Sequence, residues 1–478
     1  MQDRLDPRDP DGPPLCADDQ VGGGERDLAE MAGDELGEER EPGHRHRRCV
    51  LQALRHLDRL ASRPLGHELG GEIGRDQQPQ EDQQGHHEPG PPRAPGPAAR
   101  PKPGTRHNTD HCIQHNAPMR ATQAADIRGQ RLTRHGFAAR PATTVAQAAG
   151  LTGGLQAQDP QASRLGVRSR AQGLTEADVL HAVEDRSVVR TWLMRATIHL
   201  VPAEDVGWMT RLLGPGIARG FAKRWADLGL DHDLLARAVA VLPDVLDDGP
   251  CTRREIVAAL AEREVVIGTA DQASTHVLLY ASTLGLLCRG PERGRDNTFV
   301  LLHDWVPGSA TGPAGDDALA KLVRRYFQAF SPATPADFTT WSGLPSGRAI
   351  ALIRDELTPV EVNGRPGYAL GEAAPQRGVR LLPAFDNYLV GYRDRELIID
   401  AAHYPMVYQG GMIRPTALLD GRVIGTWRLV RKAKAAKVEF TPFGDVTKRA
   451  RTAIEAEVDD VGRFIELPTA LTITSPLS

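Results

Sequence analysis

Apolar positions along this chain fall into two regimes. From Ala125 onward they recur at helical or strand spacing, whereas residues 1–118 keep no sustained period. Three successive blocks of the patterned part repeat one order of helices followed by strands. In the first, Thr175 and Asp178 form a variant capping box ahead of Val179 and Val183. A helix through Trp192 then gives way to Thr197-Ile198-His199-Leu200-Val201, which alternates as a strand does. In the second, Thr252 and Glu255 cap a helix with Ile256, Val257 and Leu260 on one face, and a further helix covers about Gln272 to Leu287. The turn-prone stretch from Gly290 to Asn297 then leads into Thr298-Phe299-Val300-Leu301-Leu302. In the third, Thr334-Pro335-Ala336-Asp337 supplies a cap, a proline in the first turn and an acid there. Phe338 and Trp341 share the buried face of that helix. A second helix carrying Ile350, Ile353 and Leu357 precedes short strands at Pro359–Val362 and Gly367–Leu370.

Helix, helix and hairpin is the order of a winged helix-turn-helix. The pattern therefore predicts an α+β chain with three such units, at residues 119–210, 211–310 and 311–378. Beyond them, residues 379–478 read as strands at Val379–Leu382, Pro415–Leu419, Arg422–Val430 and Lys437–Phe440, closed by a helix around Thr447–Val458. Asp420-Gly421 is a two-residue hairpin signal. A β-rich C-terminal domain, a partly closed barrel, is the expectation.

Composition sharpens the boundary near Met119. No Phe, Trp or Tyr precedes Phe137, and the stretch from Gln77 to Pro103 is mostly Gln, Gly, Pro, Arg and Ala, which buries too little apolar surface to offset chain entropy. Residues 1–118 thus read as a disordered extension, with one short helix near Val50–Leu60 and with out-of-frame translation upstream of a start near Met119 as the alternative. The cluster His111-Cys112-Ile113-Gln114-His115 lacks a second ligand pair at zinc spacing and reads as solvated tail. A net charge of −4 argues against a uniformly basic nucleic-acid binder while leaving room for a local basic groove. Five cysteines without a CxxC pair argue against a disulfide framework. No apolar run reaches membrane-spanning length and no secretory core opens the chain, so a cytoplasmic protein without a membrane partner is expected. No Walker-type loop, no GxGxxG after a strand and no cysteine knuckle is present, and no cofactor or metal is expected.

The chemistry-bearing segment is Gly153-Gly154-Leu155-Gln156-Ala157-Gln158-Asp159-Pro160, in which two amides flank a small apolar residue. Alone it is weak, since helix-end glutamines are commonly solvated and Asp-Pro often marks a turn. It is accompanied by Arg195-Ala196-Thr197-Ile198-His199-Leu200-Val201, Leu381-Leu382-Pro383-Ala384-Phe385-Asp386-Asn387-Tyr388-Leu389, Gly391-Tyr392-Arg393-Asp394-Arg395 and the stretch Arg414 to Trp427. Together these segments resemble the AlkZ-type DNA glycosylases, winged-helix proteins followed by a β-barrel that remove N7-alkylated guanine, interstrand cross-links included. The resemblance covers about Ala125 to the C-terminus. It implies catalytic roles for Gln156 and Gln158, with alkylated double-stranded DNA as partner.

That implication is chemically coherent. Alkylation at N7 makes the base a cationic leaving group that needs no acid, so the enzyme has to stabilise an oxocarbenium-like sugar and hold a water. A glutamine is no general base, but its amide oxygen accepts from water and its nitrogen donates to phosphate or sugar oxygen. Asp159 is placed to add a negative charge. A related branch of the family carries an aspartate at the second motif position, here Gln158, so the range of lesions served is open. His199 faces opposite to Ile198 and Leu200, toward DNA or simply on a polar strand face. Asp386 orients an arginine such as Arg393 or Arg395, lines the cleft, or makes a structural ion pair. For phosphates, the best basic run is Arg428, Arg431, Lys432, Lys434 and Lys437 on the hairpin after Trp427, with Arg219, Lys223 and Arg224 as a second patch.

A monomeric DNA glycosylase is the reading adopted. The rivals are a non-catalytic winged-helix transcription regulator, which would bind a palindrome as a dimer through exposed polar recognition helices, and a DNA-binding relative that has lost activity. The apolar helix after Gln272 argues against the regulator.

Overall fold

Each of the three capping boxes starts a helix. Thr175 opens Glu176–Glu184, Thr252 opens Arg253–Glu262 and Thr334 opens Pro335–Ser342, with the reciprocal side-chain and backbone bonds made in all three. These elements belong to a computed structural model that describes residues 120–121, 123–268 and 272–475, all within the unit Arg45–Ser478. The expectations made for residues 1–118 lie outside the described residues.

The first helix ends sooner than the sequence suggested. Glu184 is its last residue, and Val188–Trp192 is a fully buried strand. Val188, Val189 and Thr191 are β-branched, and that crowding favours a pleated strand over a helical turn. Val188–Trp192 pairs antiparallel with Ile198–Pro202 and touches Leu287–Arg293 through Arg190 and Arg289. One six-stranded sheet results, in the order Leu155–Gln156, Ile198–Pro202, Val188–Trp192, Leu287–Arg293, Asp296–Leu301 and Cys251–Thr252. Strands from the first and second sequence blocks thus share one sheet.

Near the third capping box, Leu357–Val362 and Arg365–Leu370 form a hairpin, extended by Arg120–Ala121 in parallel. Beyond it, Val379–Leu382, Thr416–Leu419, Arg422–Arg431, Ala436–Pro442 and Thr469–Ile473 form a five-stranded sheet in that order. The order is open. Among the described residues the sheet does not close into the expected barrel, because its last strand pairs parallel to Ala436–Pro442 and never returns to Val379–Leu382. The C-terminal helix Lys448–Ile465 lies against this sheet instead. Its buried Glu457 takes Arg140 and Arg168 from the start of the patterned region and Arg380 from the strand Val379–Leu382, tying the end of the chain to both.

Two large apolar clusters hold the mixed α and β elements together. One of them is aromatic-rich. Trp208, Tyr326, Phe327, Phe330, Phe338, Trp341, Tyr388 and Tyr392 are all buried within it, with Tyr326 stacked on Phe330 at 4.8 Å. Trp341 stands at its edge, beside the glycine pair that leads into Gln156.

Candidate active site

Gln156 and Gln158 lie in and just after the edge strand of the six-stranded sheet. Gly154 makes that edge possible. Its φ of +117° suits glycine, and a Cβ there would sit 2.7 Å from Val201 Cγ1. Gln156 then pairs with His199, and the Ala157 N–H donates to the Ile198 carbonyl at 2.7 Å. The pairing is finished by a side chain, since the Gln158 Oε1 accepts from the Ile198 N–H at 3.3 Å in place of a main-chain carbonyl. Gln156 is 8% exposed and Gln158 is exposed.

Two side chains fix Gln156, Asn387 from the main-chain side and Arg195 from the side-chain side. Its backbone N–H donates to Asn387 Oδ1 at 3.2 Å, while Asn387 Nδ2 donates to the Gly154 carbonyl at 2.6 Å and to Thr152 Oγ1 at 3.1 Å. Its side-chain Oε1 accepts from Arg195 at 2.9 Å. The other guanidinium nitrogen of Arg195 donates to the Trp341 carbonyl. Burial, then the neighbouring Arg395, pull the Arg195 pKa down to about 10, so it stays charged at neutral pH. Neither Asn387 nor Arg195 was singled out from sequence. Both lie in segments that carry the family resemblance, Arg195 opening one and Asn387 following Asp386 in another.

His199 is 1% exposed, so it does not lie on a solvated strand face. Its Nδ1 is 2.9 Å from the Thr197 carbonyl, which can only accept, so Nδ1 carries the proton and Nε2 is the free acceptor. Burial first, then Arg195, push its pKa down to about 3, and His199 is neutral. Its unfolded value lies near 6.5, above the folded one, so its contribution to stability is complete above pH ~6.5 and is lost as pH falls toward 3. Each unit in that window costs up to about 1.4 kcal/mol. Chemical denaturation at pH 6 and pH 4 should therefore show a steeper loss in the wild type than in His199→Gln. Equal slopes would contradict a neutral, buried His199.

The carboxylates stand elsewhere. Asp159 caps Pro160–Arg168, accepting from the Gln161 and Ala162 N–H groups at 2.9 and 3.2 Å. Asp386 does not orient Arg393 or Arg395. It makes a two-pronged pair with Arg170 at 2.8 and 2.9 Å, both side chains wholly buried, and it accepts from the Tyr388 N–H. Its position next to Asn387 connects this pair to the Gln156 backbone. Arg393 is exposed, and its N–H donates to Asp337 at 2.8 Å. Arg395 donates to the Leu389 carbonyl and the Tyr404 hydroxyl and lies over the Tyr408 ring, with Arg195 as its electrostatic neighbour.

The basic hairpin turns at residues 432–435, between Arg422–Arg431 and Ala436–Pro442. Arg431 is not free there, because Glu176 takes it at 2.6 and 3.1 Å. Lys432 and Lys434 are exposed at the tip. In the second patch Lys223 pairs with Asp227 at 2.9 Å. A cleft of about 200 Å³ lined by Pro160, Arg164, Val183, Arg190, Leu200 and Glu292 contains neither glutamine, and Glu292 already pairs with both of its arginines. Among the described residues no group of His, Cys, Asp and Glu is arranged to hold a metal, and no helix is long and apolar enough to cross a membrane.

Comparison with known proteins bears on this arrangement. The family model described as DNA glycosylase AlkZ-like matches residues 149–464, more than half of the chain, and that span begins just before the glycine pair. A curated relative from Streptomyces sahachiroi, named interstrand DNA cross-link repair glycosylase, is 31% identical over 337 residues, covering 65% of this chain and 88% of the relative. The solved structure of the Streptomyces sahachiroi DNA glycosylase AlkZ superposes with a TM-score of 0.64 at 26% identity, over 74% of this chain and 100% of that one. The family-model match over residues 149–464, two thirds of the chain, with the relative at 31% identity, places this chain in the AlkZ-like DNA glycosylase family.

Proposed function

We propose that this protein hydrolyses the N-glycosidic bond of N7-alkylguanine in duplex DNA, including guanines held in interstrand cross-links. The observation that carries the reading is the convergence on Gln156 of Asn387 from the main-chain side and Arg195 from the side-chain side, with Gln158 exposed two residues on. Such fixing suits a site that works by preorganised dipoles, where no reorganisation is needed as charge develops on the sugar. Among the described residues the partners of the two glutamines include Asn387, Arg195 and the Ile198 N–H, an arrangement that suits a base that is cationic while attached and leaves neutral without protonation by an acid. Exposure of Gln158 fits an open site, which a base tethered to the opposite strand requires because it cannot rotate into a closed pocket.

In the finer architecture we propose, the three capped blocks act as tandem winged-helix units that cradle the duplex and the C-terminal sheet contributes the basic hairpin. The protein acts as a cytoplasmic monomer. A sequence-reading regulator is disfavoured by the helix Ala273–Thr283, whose residues His276 to Thr283 are all buried and so are unavailable to a major groove.

Two measurements test this reading. A duplex carrying a single N7-guanine cross-link should yield separated strands on a denaturing gel after incubation with the enzyme, and persistence of the cross-linked band would contradict the cross-link substrate. For the hairpin, Lys432→Ala with Lys434→Ala should flatten the slope of log affinity against log salt by roughly 2, at about 0.9 per phosphate contact. An unchanged slope would mean that the tip is merely solvated.

A further inference from the structure

Donor and acceptor chemistry fixes the orientation of both glutamine amides. Arginine only donates, so the Gln156 atom that meets Arg195 at 2.9 Å has to be the oxygen. A backbone N–H likewise only donates, so the Gln158 atom 3.3 Å from the Ile198 nitrogen is also the oxygen. Both amide oxygens are thus engaged by the protein itself. The Gln156 oxygen is engaged by a cation, which further weakens it as an acceptor for anything else.

Arg195 is held at some expense. Arg195 and Ala196 both lie in the left-handed region, at φ of 56° and 58°, and the Thr197 N–H closes the turn onto the Met194 carbonyl at 3.1 Å. A hairpin turn with two such residues ordinarily takes Asn-Gly, because each L-residue there costs about 1–2 kcal/mol. Among the described residues no carboxylate pairs with Arg195, and its electrostatic neighbour is a second arginine, Arg395. A half-buried, unneutralised charge on a turn with two left-handed L-residues is a costly arrangement of the kind that clusters at functional sites.

We propose that Arg195 is a positioning residue that holds Gln156 oxygen-inward. Gln156 and Gln158 then present their NH2 groups to the substrate as a pair of donors, and the site grips an acceptor oxygen of the lesion nucleotide's sugar-phosphate and does not hold the attacking water through an amide oxygen. This rests on the proposed glycosylase reading of the two glutamines. The donor pair and the uncompensated arginine charges act in the same sense, since both favour an anionic or acceptor oxygen. Water then needs no strong base: the glycosidic bond breaks with its electron pair going to the cationic guanine, which leaves neutral, the oxocarbenium sugar captures water, and the proton of that water passes to bulk solvent.

The test is single-turnover excision of N7-methylguanine from duplex by the full-length protein, at saturating enzyme, with melting temperature recorded for every variant. Gln156→Glu is the sharpest variant. One carboxylate oxygen still meets Arg195, so the fold is kept, while an acceptor replaces the outward donor. Its rate should fall as far as that of Gln156→Ala, and a rate at or above wild type would overturn the proposal. Arg195→Ala should lose about 10- to 100-fold in the wild-type background, in line with the cost of slight misplacement. In the Gln156→Ala background it should lose less than about threefold, because positioning has nothing left to act on. Equal losses in both backgrounds would overturn the proposal while leaving the glycosylase reading intact. Arg195→Lys, which keeps the charge and one donor, should restore part of the rate, and no restoration in a folded Arg195→Lys would count against it. Full activity of Gln156→Ala would be the different result that removes the catalytic reading of the glutamines and this inference with it.

Discussion

Gln156→Ala and Gln158→Ala should each lower the single-turnover rate of base excision by roughly 30- to 1000-fold. The figure follows from about 2–4 kcal/mol for one preorganised polar contact that strengthens in the transition state. Both variants should fold. Gln158 is exposed, and the main-chain bonds of Gln156 to Asn387 and of Ala157 to Ile198 do not involve the truncated amide. Gln156→Ala leaves Arg195 without one acceptor and Gln158→Ala leaves the Ile198 N–H without its amide oxygen, each at a cost of about 1–3 kcal/mol in stability. If the two amides grip one sugar-phosphate, the double variant should lose much less than the product of the two single losses. Losses that multiply would indicate two independent contacts. Duplex affinity, measured separately, should change little, because each amide is one neutral contact among many charged ones.

The second large effect is expected at the pair that supports the site from behind. Asp386→Ala should destabilise the protein by about 3–5 kcal/mol, since it strands a wholly buried Arg170 guanidinium. It also removes the acceptor for the Tyr388 N–H at the start of Asn387–Val390. Because Asn387 is the next residue and bonds Gln156, Gly154 and Thr152, excision should slow even at temperatures where the variant remains folded. Replacing both partners, Arg170→Met with Asp386→Leu, should recover much of the lost stability, as apolar replacements of buried ion pairs often do. Its activity should stay low if Asn387 depends on Asp386 for position. An unfolding free energy for Asp386→Ala within about 1 kcal/mol of wild type would contradict the structural weight given to this pair.

What the sequence could reveal was local. Thr175 with Asp178, Thr252 with Glu255 and Thr334 with Asp337 announce helix starts because a capping box is a four-residue event. Asp420-Gly421 likewise marks the hairpin between Thr416–Leu419 and Arg422–Arg431. The strand at His199 lies where the alternating pattern put it, whereas Gln156, expected at a helix end, stands in an edge strand that only its pairing with Ile198–Pro202 defines. The failures have a common cause. Arg170 and Asp386 are 216 residues apart, Gln156 and Asn387 231, and Arg431 and Glu176 255. No periodicity encodes which of many arginines a carboxylate will meet across such distances. For this reason the sequence leaves Asp386 open between orienting an arginine such as Arg393 or Arg395, lining the cleft and a structural ion pair, and it does not name Arg170 as the partner or Glu176 as the partner of Arg431. Val188–Trp192 was misjudged for another reason. A short apolar run fits either a helix end or a strand, and its strand state is decided by pairing with Ile198–Pro202. The open order of the C-terminal sheet depends on Thr469–Ile473 pairing parallel to Ala436–Pro442 across an intervening helix, which strand patterns alone do not specify.

The central claim is that the glutamine pair removes an alkylated base. Its most direct measurement is single-turnover incubation of the purified protein with a duplex carrying one N7-methylguanine, followed by mild base and analysis of strand cleavage. The account predicts cleavage at the lesion well above the enzyme-free control, reduced toward that control in the Gln156→Ala, Gln158→Ala double variant. Wild-type cleavage no greater than the control, or a double variant as active as the wild type, would contradict it.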